Sequence, residues 1–236
     1  MTEINYTKFL GITAFTSTAE LDFFKGDPAS AGFVLTGQQR GYLAARGIPA
    51  DKGVIVPKQV HGDAIWKVTR RDAALAGIHE ADAVVTDEPG LAIGIRTADC
   101  LPALVYAPRR KVIAAIHAGW KSTRLDIARK TVELLVRDYG VDPAELRVAV
   151  GPCIRRDSCE VGPEFLEYFP LDTAAAPQGL RFDIFSANLR QLTAAGVERG
   201  NIFDCGLCSM KEPARFHSFR RDVDRSGRMI SVVVMP

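Results

Sequence analysis

Three side chains in this 236-residue chain have the types and settings that do chemistry: His61, Cys100 and His117. Each stands at the end of a short apolar stretch, beside a small or turn-forming residue, as in His61-Gly62, Asp99-Cys100-Leu101-Pro102 and His117-Ala118-Gly119. Two imidazoles and a thiolate suit zinc, and three protein ligands leave a fourth position for water or substrate. Zinc so held lowers the pKa of a bound water to about 7. The same atoms admit a second reading, in which Cys100 is a nucleophile activated by His117. That reading leaves His61 without a role.

Other residues carry weaker signals. Trp120-Lys121-Ser122-Thr123 opens a helix, whose free N–H groups suit an anion, and Lys121 adds a positive charge there. The run Phe216-His217-Ser218-Phe219-Arg220-Arg221-Asp222, continuing to Gly227-Arg228, is dense in aromatic rings and guanidinium groups. Arg220 and Arg221 are candidates to hold phosphate in bidentate fashion. A solvated loop whose arginines pair with Asp222 and Asp224 is the alternative. Cys205-Gly206-Leu207-Cys208 is a CxxC without a second pair at zinc spacing, so structural thiols are the expectation. His79 falls in an expected exposed loop and receives no role.

Cys100 and His117 need a scaffold, and the residues between them describe one. Two apolar β-type segments, 103–106 and 112–116, flank a turn at Ala107-Pro108-Arg109-Arg110. Antiparallel pairing of such a hairpin brings Cys100 and His117 to the same end of a sheet. Further strands are expected at 12–16, 54–56, 65–68, 83–86, 91–95, 146–150, 202–204 and 230–235. Helices are expected at 37–47, 163–169 and 184–196, with turns at Gly26-Asp27-Pro28 and at Gly47-Ile48-Pro49. The clearest helix follows Trp120: Leu125, Ala128, Val132, Leu135 and Tyr139 recur at helical spacing, Ser122 or Thr123 caps it, and Gly140 ends it. Many strands with few helices predict an α+β fold with mixed sheets. There is no dinucleotide or P-loop glycine pattern and no solenoid repeat.

Composition narrows the function classes. Hydrophobic content is 47%, charged content 25% and net charge +2, ordinary values for one globular domain over 1–236 and poor support for a nucleic-acid groove. No apolar run reaches the ~20 residues of a membrane span. Residues 1–6 lack a signal-peptide pattern, and five cysteines, an odd number, predict reduced thiols in the cytoplasm.

Taken in order, Gln59-Val60-His61-Gly62, Thr97-Ala98-Asp99-Cys100-Leu101-Pro102, His117-Ala118-Gly119-Trp120-Lys121, Gly151-Pro152-Cys153-Ile154, Glu160-Val161-Gly162 and Ser218-Phe219-Arg220-Arg221-Asp222 with Gly227-Arg228 resemble one family over roughly residues 54–235. It is the laccase-domain family, formerly multicopper polyphenol oxidases and now assigned as purine nucleoside phosphorylases. The resemblance implies a four-layer α/β/β/α fold, similar to that of the cytotoxic necrotizing factor-like cysteine hydrolases. It implies Zn2+ on His61, Cys100 and His117, with phosphorolysis of adenosine, inosine, guanosine and methylthioadenosine, and adenosine deamination. Asp99, the carboxylate nearest the ligand Cys, is the expected proton-transfer residue, and Gln59, Lys121, Arg220 and Arg221 the expected substrate and phosphate ligands. The expected partners are purine nucleosides and phosphate, with no nucleic acid or membrane, for a monomer or small homo-oligomer. A Cys-His amide hydrolase is the alternative. A copper oxidase is disfavoured, because four histidines cannot fill the multi-His cluster it needs. The chain departs from the family pattern at Phe15-Thr16-Ser17-Thr18-Ala19-Glu20, where an Arg-Gly-Gly-Val-Ser-like segment is usual, and at Ser122, where Gly is common.

Overall fold

The computed structural model describes residues 3–23, 35–48 and 53–236. The turn expected at Gly26-Asp27-Pro28, and Pro49 after the first long helix, lie outside the described residues. In chain order the first elements are β1 (Glu3–Asn5), α1 (Thr7–Leu10), β2 (Thr13–Ser17) and α2 (Gly37–Ala44). A core block follows: β3 (Ile65–Lys67), β4 (Ala83–Thr86), β5 (Ala92–Thr97), β6 (Leu101–Ala107) and β7 (Val112–Ala118). Then come α3 (Trp120–Arg124), α4 (Ile127–Tyr139), β8 (Arg147–Val150), β9 (Glu160–Val161), α5 (Phe165–Tyr168), β10 (Thr173–Ala176) and β11 (Gly179–Phe182). The chain closes with α6 (Ile184–Ala194), β12 (Ile202–Asp204), α7 (Phe219–Asp222) and β13 (Met229–Val234).

The result is a mixed α/β architecture with several sheets. One six-stranded sheet runs β12-β8-β6-β7-β4-β3, with parallel pairs at both edges and antiparallel pairs between. A four-stranded antiparallel sheet runs β1-β2-β13-β5. A small sheet, β10-β11-β9, was not expected from the sequence, because its strands are short and only partly buried.

Strand alternation explains how these pieces stack. Val85, Ala103, Val105, Ile116 and Val148 face α4 and α6 through Ile127, Val132, Leu135, Ile184 and Leu192. Their neighbours Val84, Leu104, Ala115 and Ala149 face the other way, onto Ala14, Ile93, Ile95 and Val233 of the four-stranded sheet. That sheet turns Phe15, Ile230, Val232 and Val234 outward to Leu43 of α2 and to Phe23 and Ile48. Strands β6 and β7 are covered on both sides, which is why they read as continuous apolar runs.

Two expectations need correction. The segment 54–56 forms only an isolated bridge, Ile55 to Ile93, and Pro57, which lacks an N–H, follows at once. The helix after Trp120 is two helices: Asp126, at φ 62°, breaks it, and Ser122 and Thr123 are buried inside α3 rather than capping it. Gly140 does end α4, in the left-handed conformation. Among the described residues no helix is long and apolar enough to cross a membrane.

Candidate metal centre

The β6–β7 hairpin forms in the expected register, pairing Pro102 with His117, so Cys100 and His117 meet at one end of the six-stranded sheet. The loop before β3 brings His61 to the same end. The ligand atoms of His61, Cys100 and His117 all lie within 4.8 Å of one another, with Cys100 Sγ 3.7 Å from His61 Nε2. Zinc ligands at about 2.0 Å (N) and 2.3 Å (S) in a tetrahedral array stand roughly 3.5 Å apart, so the donor set suits that ion and the Cys100–His61 separation is close to that spacing. His61 and Cys100 line two adjoining cavities, and His117, though buried, lines the smaller of them.

A residue that sequence reasoning missed holds this arrangement. Asp82, whose side chain is fully buried just before β4, accepts His117 Nδ1–H through Oδ1 at 2.7 Å. The same carboxylate accepts the backbone N–H groups of Val60, His61 and Gly62, at 3.2, 3.0 and 2.7 Å. One carboxylate therefore orients one imidazole directly and folds the backbone that carries the other. His61 sits at φ 60°, a conformation costly for a side-chain-bearing residue and sustained here by those three bonds. Burial works against ionising Asp82, yet its bonds to His117 and to the loop amides hold its pKa below the ordinary value.

Gly119 is the second unanticipated element. A Cβ there would fall 2.7 Å from His61 Cδ2 and 3.1 Å from Cys100 Sγ, so the absent side chain is what lets the cluster close.

Without metal, the cluster is a coupled acid–base pair. Burial pushes the Cys100 thiol up, but His117 and then His61 outweigh it and bring it down to about 6. Burial pushes His117 down, but Cys100 and Asp82 outweigh it and raise the imidazole to about 9. A thiolate beside an imidazolium follows, which is also the form a divalent cation would replace.

The expected substrate residues divide. Lys121 and Arg220 line a cavity of about 570 Å³ with Trp120, Phe165, Phe182, Phe219, Glu160 and Glu164. Gln59 lines the second cavity, but both ends of its amide are bound to the main chain of Arg96, at 2.7 and 2.8 Å. Arg221 does not face either cavity. Its guanidinium donates to Asp222 twice and to the carbonyls of Ser209, Met210 and Phe216, which uses its full set of N–H groups to hold the loop. Asp99 is adjacent to Cys100 at φ 86°, and its carboxylate accepts from Ser209 Oγ, Ser218 Oγ and the Arg220 N–H at 2.6, 3.0 and 2.6 Å.

His79 stacks on Trp66, with ring centroids 4.5 Å apart. The CxxC cysteines are free thiols; Cys208 bridges to Cys153 through the backbone, and burial raises the Cys205 thiol to about 11.

A mixed α/β scaffold carries, at the end of its central sheet, an N₂S cluster whose donors could hold a metal ion. Residues 20–236 match the family described as multi-copper polyphenol oxidoreductase laccase, and the chain belongs to that family. It is similar to a purine nucleoside phosphorylase of Deinococcus radiodurans, 38% identical over 198 residues, covering 82% of this chain and 74% of that one. It is also similar to adenosine deaminase RL5 of an unknown prokaryotic organism, 34% identical, covering 74% of this chain and 72% of that one. Among solved structures, hypothetical protein YfiH of Bacillus licheniformis superposes with a TM-score of 0.86 at 27% identity, covering 100% of this chain and 97% of that one.

Proposed function

We propose that this protein is a zinc-dependent purine nucleoside phosphorylase that also deaminates adenosine. The observation that carries this reading is the placement of the His61–Cys100–His117 cluster where two cavities meet, His61 and Cys100 lining both the aromatic and the cationic one and His117 the cationic one. The names of the two relatives agree with it. Zinc held by the three residues would supply a Lewis acid at the point where the cavities meet.

The chain's own residues do the rest. The faces of Trp120 and Phe219, partly open to solvent, offer a purine ring apolar surface on which to stack. Glu160 and Glu164 can accept hydrogen bonds from ribose hydroxyls, and Lys121 and Arg220 supply positive charge beside the same cavity. Asp99, held by three donors, positions the Arg220 backbone and the Cys100 turn instead of carrying a proton. The substrates we assign are adenosine, inosine, guanosine and methylthioadenosine, for a single cytoplasmic domain that is a monomer or small homo-oligomer and has no nucleic-acid partner.

Zinc-loaded protein should release free base from nucleosides only when phosphate is present, and Cys100→Ala should not. Absence of base release, with Cys100→Ala indistinguishable from the parent, overturns the proposal. Copper chemistry is disfavoured by the histidine positions: His79 and His217 lie outside the cluster, and the described residues form one metal-capable group.

The depressed Cys100 thiol beside His117 favours a second reading, a Cys-His hydrolase acting on an amide. The layered packing, with α4 and α6 on one side of two stacked sheets and α2 on the other, agrees with the cysteine hydrolase fold that the sequence resemblance implies. Chelation separates the two: it should abolish phosphorolysis, whereas a cysteine hydrolase would survive it and succumb only to alkylation.

A further inference from the structure

The smaller cavity, of about 290 Å³, is lined by Gln59, His61, Arg96, Thr97, Ala98, Cys100, His117, Phe219 and Arg228. It adjoins the aromatic cavity across His61, Ala98, Cys100 and Phe219, which line both. We propose that Arg96 and Arg228 form the binding site for the phosphate co-substrate in this smaller cavity, leaving the larger one to the nucleoside. This rests on the phosphorylase reading above.

The two cavities differ in charge in the way this assignment needs. The larger is lined by the carboxylates of Asp99, Glu160 and Glu164 beside its two cations, and carboxylates repel a phosphate dianion. The smaller has two guanidiniums and no carboxylate in its lining, while Asp22 acts on both arginines from outside it. Arg221, which sequence suggested for this task, has its donors committed to the loop.

Both arginines are fixed by the fold. Arg96 lies in β5 opposite Ile230 of β13, two residues past Arg228, so sheet pairing sets them side by side. The Gln59 amide clamps the Arg96 main chain on both its N–H and its carbonyl. Arg228 donates its backbone N–H to Asp22 and Nη1 to the carbonyls of Ser226 and Gly227, and its guanidinium lies 5.8 Å from the centre of the Phe219 ring. Burial lowers the Arg96 pKa to about 10, with Arg228 adding to the effect and Asp22 opposing it. Two cations that crowd each other in a half-enclosed cavity are stabilised by a divalent anion, and guanidinium matches phosphate geometry.

In the reaction, a phosphate oxygen attacks C1′ of the ribose as the C1′–N9 bond breaks. The bonding pair leaves with the purine, which gains a proton from solvent. The products are the free base and ribose 1-phosphate.

The test measures KM for phosphate and for inosine in zinc-loaded protein, together with calorimetric titration of inorganic phosphate. Arg96→Gln and Arg228→Gln should each raise the phosphate KM about tenfold or more, with the smaller effect on the inosine KM. Arg96→Lys and Arg228→Lys, which keep the charge and guard against misfolding, should fall between. Lys121→Ala should act mainly on the inosine KM. A phosphate KM within about twofold of the parent in every arginine variant with a native melting transition overturns the site, as does a phosphate effect confined to Lys121→Ala. If the parent releases no base at all, the phosphorylase reading fails. The titration then still decides the site: saturable phosphate binding lost in the glutamine variants upholds it, and no saturable binding overturns it.

Discussion

Asp82 Oδ1 lies 2.7 Å from His117 Nδ1, with neither side chain reaching solvent to any useful extent. This contact selects the imidazole tautomer whose Nε2 is left for the cluster, as carboxylate–histidine pairs do at metal sites. Asp82 also holds the His61 loop, so both imidazoles of the cluster depend on one carboxylate.

Asp82→Ala should therefore weaken zinc binding by about 10–100-fold. Asp82→Asn, which keeps one oxygen acceptor, should lose less. Competition with a chromophoric chelator measures this directly. Equal zinc affinity in the parent and Asp82→Ala would remove Asp82 from the site.

Gly119→Ala tests the closeness of the cluster. The added methyl meets His61 at 2.7 Å, so either His61 moves or the turn before α3 does. Overpacking of this kind costs about 1–3 kcal/mol. Zinc stoichiometry below that of the parent, with a lower urea midpoint, is expected; full zinc loading at unchanged stability would contradict the geometry.

The coupled pair makes the metal-free protein respond to pH. Cys100, with its pKa lowered from 9.0 to about 6, contributes stability that is complete above the unfolded value and lost as pH falls through about 6. His117, raised from 6.5 to about 9, contributes stability that is complete below the unfolded value and lost as pH rises through about 9. Each shift is largely the other's charge, so they describe one interaction, strongest between about 6 and 9. Alkylation of Cys100 in chelator-treated protein should titrate near 6. A midpoint near 9 would show that the thiolate–imidazolium pair does not form.

Asp99→Ala distinguishes positioning from proton transfer. Removing the carboxylate strands the Ser209 and Ser218 hydroxyls and the Arg220 N–H, at about 2–4 kcal/mol in total. A lowered unfolding midpoint and faster proteolysis in the 209–222 segment are expected. An activity loss with unchanged stability, and a shift in the pH–rate profile, would restore Asp99 as a proton carrier.

The hairpin that carries Cys100 and His117 was legible in the sequence because it depends on a local pattern. Two apolar runs joined by a Pro- and Arg-bearing turn pair antiparallel, and that alone carries Cys100 and His117 to one end. What the surrounding residues do depends on contacts that no spacing reveals. Asp82 is 35 positions from His117, and nothing near it marks a carboxylate that will be buried. Gln59 and Arg221 have the side chains of ligand-binding residues, yet the fold places main-chain partners within reach and consumes their hydrogen bonds. Arg96 reads as one charged residue in an apolar strand. Only the pairing of β5 with β13, 134 residues apart at Arg96 and Ile230, sets it beside Arg228. Residue type and periodicity determine which chemistry is available; long-range packing decides which groups come together to perform it.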